Sequence, residues 1–161
     1  MKQAFSLLVT CVLMVTVARA GVGPPPDIPA AARGAARIVV ATVRDVRAQF
    51  ETNRFGDQLI VSTVLLEVVE SLKGAGGGVL RVAVEGGTVG DLTLRVSDMP
   101  MLKAGDRGVF FLDAAAGDGF VPHDRGRGIM RLSSDDRVDG TPLRLSDVRD
   151  QVRSGLGAVG R

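Results

Sequence analysis

The sequence predicts a mainly β domain, closed or nearly closed into a small barrel, with one short helix at its C-terminal end. Two observations carry this. Segments of alternating or β-branched apolar residues recur between Arg37 and Leu132, with turn residues between them and almost no helical periodicity. The only cysteine, Cys11, lies in a segment expected to be removed. A disulfide-free exported domain gains from closure, because a closed sheet has no exposed edges. A β-sandwich satisfies the same strand pattern and is the alternative.

The chain opens with Lys2, then an apolar run from Ala4 to Val17 broken only by Ser6, Thr10 and Thr16, then Ala18-Arg19-Ala20. A positive start, an apolar stretch and a small-x-small triplet predict a signal peptide over residues 1–20, cleaved after Ala20. The uncharged run between Lys2 and Arg19 is shorter than the roughly 20 residues a permanent span needs. Thr10 precedes Cys11 where lipid attachment would want a small residue, and the apolar run continues past it. The expected location is therefore the periplasm or the medium, without membrane attachment after cleavage. Cleavage takes two of the 20 basic residues and leaves 18 against 18 acidic, a neutral chain that gives no argument for a nucleic-acid partner.

Residues 21–36 read as a Pro/Gly-rich spacer. Gly23-Pro24-Pro25-Pro26 lacks the N–H donors of helix or sheet interior, and Ala30–Ala36 offers a helical turn weakened by Gly34. The barrel domain is expected over residues 37–153. Ile38–Val43 is apolar on both faces, as in a strand buried on two sides, and Arg44–Asn53 carries it into solvent. Leu59–Val69 places Ile60, Ser62, Val64, Leu66 and Val68 on one face. Helix competes there, but the density of Val and Ile favours strand. Leu80, Val82 and Val84 alternate with Arg81 and Glu85, and after the Gly86-Gly87 turn Leu92, Leu94 and Val96 read as a partner strand of the same kind.

Val109–Leu112 is the most hydrophobic strand. Phe120-Val121 and Ile129–Leu132 read as a hairpin around a loop rich in Gly and Arg, and Asp139-Gly140 as a turn. Ser146 is the expected N-cap of a helix with Val148 and Val152 on its apolar side, and residues 154–161 read as a disordered tail.

Few residues suggest chemistry. His123 is the only histidine; beside Pro122 and Asp124 it reads as a solvated loop residue, since adjacency does not build a triad. One histidine without cysteine gives no metal site, and Asp135-Asp136 with Asp139 lacks the spacing and closing Glu of a calcium loop. Glu85–Gly90 precedes an alternating segment rather than a helix, so it is no phosphate loop, and no cofactor is expected. Arg125-Gly126-Arg127-Gly128, with Arg131 nearby, could grip a phosphate, sulfate or carboxylate on a partner; a charged loop tip offset by Asp124 is the plainer reading. Six Phe without Tyr or Trp offer no stacking platform for nucleic acid or sugar.

The ordered set Ile38–Val43, Ser62-Thr63-Val64, Glu70–Gly74, Gly86–Gly90, Met99-Pro100 and Gly105–Leu112 resembles a group of exported bacterial β-domain proteins of uncharacterised function. The layout is also distantly similar to the netrin and metalloprotease-inhibitor type of OB barrel. That resemblance implies an OB-like, partly open Greek-key barrel and a protein-binding role. Inhibition does not carry over, because the expected mature chain starts at Gly21 and has no cysteine to chelate zinc. The function expected is a non-catalytic binding or accessory module for an extracytoplasmic protein, with a secreted protease as one candidate partner. A hydrolase using carboxylates such as Asp98 and Asp106, or a polysaccharide-binding module, is the alternative.

Overall fold

Strands β1 (Arg37–Thr52) and β2 (Gln58–Lys73) form a long antiparallel hairpin whose register slips three times. Arg44, Val69 and Leu72 are the extra residues at these slips, and such bulges bend and twist a strand pair enough to begin a barrel. This computed structural model describes residues 27–53 and 55–157. The signal segment and the Pro24–Pro26 run lie outside the described residues.

Strand β3 (Gly78–Glu85) pairs antiparallel with β2, and β6 (Arg107–Ala114) pairs antiparallel with β1. β7 (Phe120–Pro122) pairs antiparallel with β6 and touches β3 in parallel through Val82 and Phe120. The order β1-β2-β3-β7-β6 thus returns to β1. The protein is mainly β, an OB-like ring of strands. Because the β3–β7 seam rests on one ladder pair, the ring is partly open there.

Period-two alternation sorts the side chains of β1 and β6 into two cores. Val39, Ala41, Val43, Phe110 and Leu112 point into the ring with Val64, Leu66, Leu80, Val82 and Val84. Ile38, Val40, Val109 and Phe111 point outward, beneath helices α1 (Ile28–Gly34) and α2 (Leu145–Gly157). β1 is therefore buried on both faces over its first half, as its composition predicts, while its second half emerges into solvent.

Several local expectations are corrected. The helical turn expected at Ala30–Ala36 is present but starts earlier, at Ile28, and ends at Gly34; Ile28, Ala32 and the capping Ala35 join the outer core. Asp27 caps it by accepting from the Ala30 N–H at 2.9 Å, and proline stands in its first turn, where no donor is needed. Lys73 closes its other end: the ammonium donates to the carbonyls of Ala32, Arg33 and Ala35 at 2.8, 3.0 and 2.5 Å.

Helix α2 starts at Leu145, so Ser146 is not its N-cap; Asp147 instead accepts from the Arg144 N–H at 2.8 Å, the returning half of a capping box. It continues through Gly157, into the expected tail. Gly155 is buried against α1, and glycine is required there because a β-carbon would lie 2.6 Å from the Pro29 carbonyl oxygen.

Leu92–Val96 is no full partner strand. β4 (Gly87–Val89) and β5 (Leu92–Leu94) make a separate two-stranded ribbon, and Leu92 is 62% exposed. Phe120-Val121 and Ile129–Leu132 are no hairpin either. β7 and β8 (Ile129–Leu132) lie end to end along one edge of β6, as one strand interrupted by an inserted turn.

Candidate functional site

The inserted turn carries the arginines that the sequence singles out. A 3₁₀ turn, Arg125–Gly128, joins β7 to β8. It is entered through two consecutive left-handed residues, Asp124 (φ 49°) and Arg125 (φ 57°). Left-handed backbone is unfavourable for residues with a β-carbon, so surrounding contacts must hold this entry. Gly126 supplies one, since a β-carbon there would strike the Asp98 backbone. Gly128 supplies another: a β-carbon would lie 2.9 Å from the Phe111 carbonyl oxygen.

Arg125 supplies the third contact. Its guanidinium donates to both Asp98 oxygens at 2.6 and 3.2 Å, and to Glu85 at 2.9 Å. These bonds tie the turn to the loop before Pro100 and to the last residue of β3, beside the open seam. The Asp98 bond, reinforced by Glu85, raises the Arg125 pKa, and the same bond lowers that of Asp98. Arg125 thus commits Nε and one Nη to Asp98 and Glu85 within the chain.

Arg127 and Arg131 are placed differently. They flank a groove of about 290 Å³ bordered by Pro100, Asp139 and Thr141, with the buried residues Ile129, Met130 and Val138 beneath it. Arg127 is 65% exposed, and Asp124 lies 3.6 Å away. Arg131 has Asp106 at 3.7 Å and Asp139 at 3.8 Å. These separations exceed charge-assisted hydrogen-bond length, so both guanidinium groups keep N–H donors for a ligand. The structure therefore brings together two of the three candidate arginines.

His123 is not the solvated residue its sequence context suggests. Its Nδ1 lies 2.9 and 3.0 Å from the two Asp113 oxygens, its backbone N–H donates to Phe111, and its ring covers Gly34 of α1. Asp113, ten residues away on the neighbouring strand, is the partner rather than Asp124. This pair joins the helix layer to the sheet.

The carboxylates of the hydrolase alternative are held apart in role. Asp98 serves Arg125, while Asp106 accepts from the Lys103 N–H at 3.0 Å and faces Arg131. A lowered Asp98 pKa is the opposite of what a proton donor needs. Ser62 faces a second cavity of about 230 Å³ at the ring's mouth, lined by Val46, Val64 and Val84, but its hydroxyl donates to the Gly86 carbonyl at 2.6 Å.

No family model matches the chain, and no curated protein matches it in sequence.

Proposed function

We propose that the protein is an exported, non-catalytic binding or accessory module whose partner is another extracytoplasmic protein. The Arg127–Arg131 groove carries this reading. It places two donor-bearing guanidinium groups beside Pro100, and arginine is enriched in protein-recognition surfaces. The strained turn and the Arg125 contacts hold one rim in place before any partner arrives, which lowers the ordering cost of binding. A secreted protease remains the candidate partner on the strength of the OB-barrel resemblance.

The test is affinity capture from the periplasmic fraction and culture medium, comparing the wild-type protein with Arg127→Glu. The reading expects a protein captured reproducibly by the wild type and lost with the variant, at unchanged circular dichroism. Capture that the charge reversal leaves intact, or repeated failure to capture any protein, contradicts it.

A further inference from the structure

We infer that two copies of this chain join edge to edge through the outer half of β1, extending one sheet across a two-fold axis. This surface is separate from the groove and does not depend on it. Beyond Thr42 no described strand pairs with β1 on the side away from β2, and the last backbone bonds there join Val43 to Gly105 and Asp106. Past the bulge at Arg44, the Asn53 N–H donates to the Asp57 carbonyl at 2.9 Å, so Asn53 bonds across the hairpin. Phe50 faces Ile60, whose carbonyl turns away from β1 to accept from Gly86 at 2.8 Å. Both bonds set the same phase: the N–H and C=O groups of Val46, Ala48, Phe50 and Thr52 point outward from β2. Gln49–Thr52 are exposed, and Val46 and Ala48 are half-buried. An edge of this kind is a template for another strand.

The side chains favour a second copy as that strand. A two-fold pairing is antiparallel and must bring outward groups together, so the axis passes through a residue. Centred on Gln49, it bonds Val46 to Thr52 and Ala48 to Phe50, and sets Arg47 of each copy opposite Glu51 of the other. Centred on Ala48, it opposes Asp45 and Glu51; centred on Arg47, it opposes two arginines; centred on Phe50, it leaves Arg47 facing Asn53 and Glu51 facing Gln49. Opposite charges directly across a strand pair stabilise it, and like charges destabilise it. Charge therefore selects the Gln49 register. In the described contacts Arg47 donates only through Nε, to Asp45 at 2.7 Å, and Glu51 accepts on one oxygen, from Gln49 at 2.9 Å. Each keeps atoms for the other. On the opposite face Phe50, 48% exposed, comes to lie beside Ala48 of the second copy.

The test is sedimentation equilibrium of the purified protein beside Glu51→Arg and the charge swap Arg47→Glu with Glu51→Arg. So short an edge predicts a weak dimer, dissociating between about 10 µM and about 1 mM. Glu51→Arg should weaken it at least about tenfold, since both attractive pairs become repulsive, and the swap should restore it to within about threefold of wild type. Circular dichroism should be unchanged in both variants, because both positions are exposed. A second measurement needs no variant. Arg47 and Glu51 stand four residues apart on one extended strand, roughly 13 Å, too far for their α-protons to meet within a copy. A nuclear Overhauser contact between these α-protons in a concentrated sample is the expected signature of the pairing. A protein still monomeric at about 1 mM, a dimer indifferent to Glu51→Arg, no recovery in the swap, or a dimer without the Arg47–Glu51 contact would each overturn the inference.

Discussion

Lys73 shows how much one side chain can do that its neighbours in sequence do not reveal. Beside Gly74 it looks like part of a turn, yet its ammonium ends α1 by meeting three carbonyls of residues about 40 positions away. Lys73→Met keeps most of the stem and removes the donors, leaving partly buried carbonyls unsatisfied. The expected loss is about 2 kcal/mol in urea unfolding; an unchanged midpoint would mean that water replaces the ammonium without cost. Arg125 is the second such residue. Its partners Asp98 and Glu85 lie 27 and 40 residues away, so a local reading sees only an arginine between glycines. The carboxyl of Asp98 has its pKa lowered by Arg125 in the folded state. A depressed carboxylate contributes stability above its unfolded pKa and loses it as pH falls through the folded one. The difference in thermal midpoint between wild type and Arg125→Gln should therefore be full near neutrality and vanish in acid, below the ordinary carboxylate range. A gap that stays constant into acid would place the role of Arg125 elsewhere. That Arg127 and Arg131 lie near each other was legible because both stand in one short segment; the pairing of Arg125 with Asp98 and Glu85 was not, since it depends on residues far away in the chain.

Among the elements, β1, β2, β3 and β6 were legible because periodicity and β-branched content report burial directly. Ile38–Val43 and Val109–Leu112 read as continuously apolar, and both strands prove to lie between the ring interior and the helices. The consequence for β6 is specific. Phe110 and Phe111 face opposite cores, so replacing either by Ala should cost about 3–5 kcal/mol in denaturant unfolding. A strand with one solvent face would show that cost at one position only, so a near-neutral change at either residue contradicts the two-sided layering. The hairpin expected from Phe120 to Leu132 was misread because an intervening Gly-rich stretch signals a reversal. Here the same glycines permit close backbone approach, and the strand resumes in its original direction. The short ribbon β4–β5 was over-read for the opposite reason. Leu92, Leu94 and Val96 alternate well, but Leu92 stays exposed among the described residues, and alternation alone does not supply a second layer.

For the whole molecule, closure of the strand ring places every surface discussed above. It sets helices over one flank, leaves the seam between β3 and β7 narrow, and aligns β7 and β8 so that the inserted turn overhangs the groove. The choice between barrel and sandwich was not legible in the sequence, because it turns on a single parallel contact between strands 38 residues apart. Three register slips in the β1–β2 hairpin supply the curvature, and none announces itself by glycine or proline, since the extra residues are Arg44, Val69 and Leu72. The most direct measurement is a set of interstrand nuclear Overhauser contacts in the purified protein. A backbone contact between Val82 and Phe120, seen together with those pairing Val39 to Phe110 and Val64 to Val82, is the predicted result. Finding the β1–β2–β3 and β1–β6 contacts without any between β3 and β7 would describe an open sheet or a sandwich and contradict the ring.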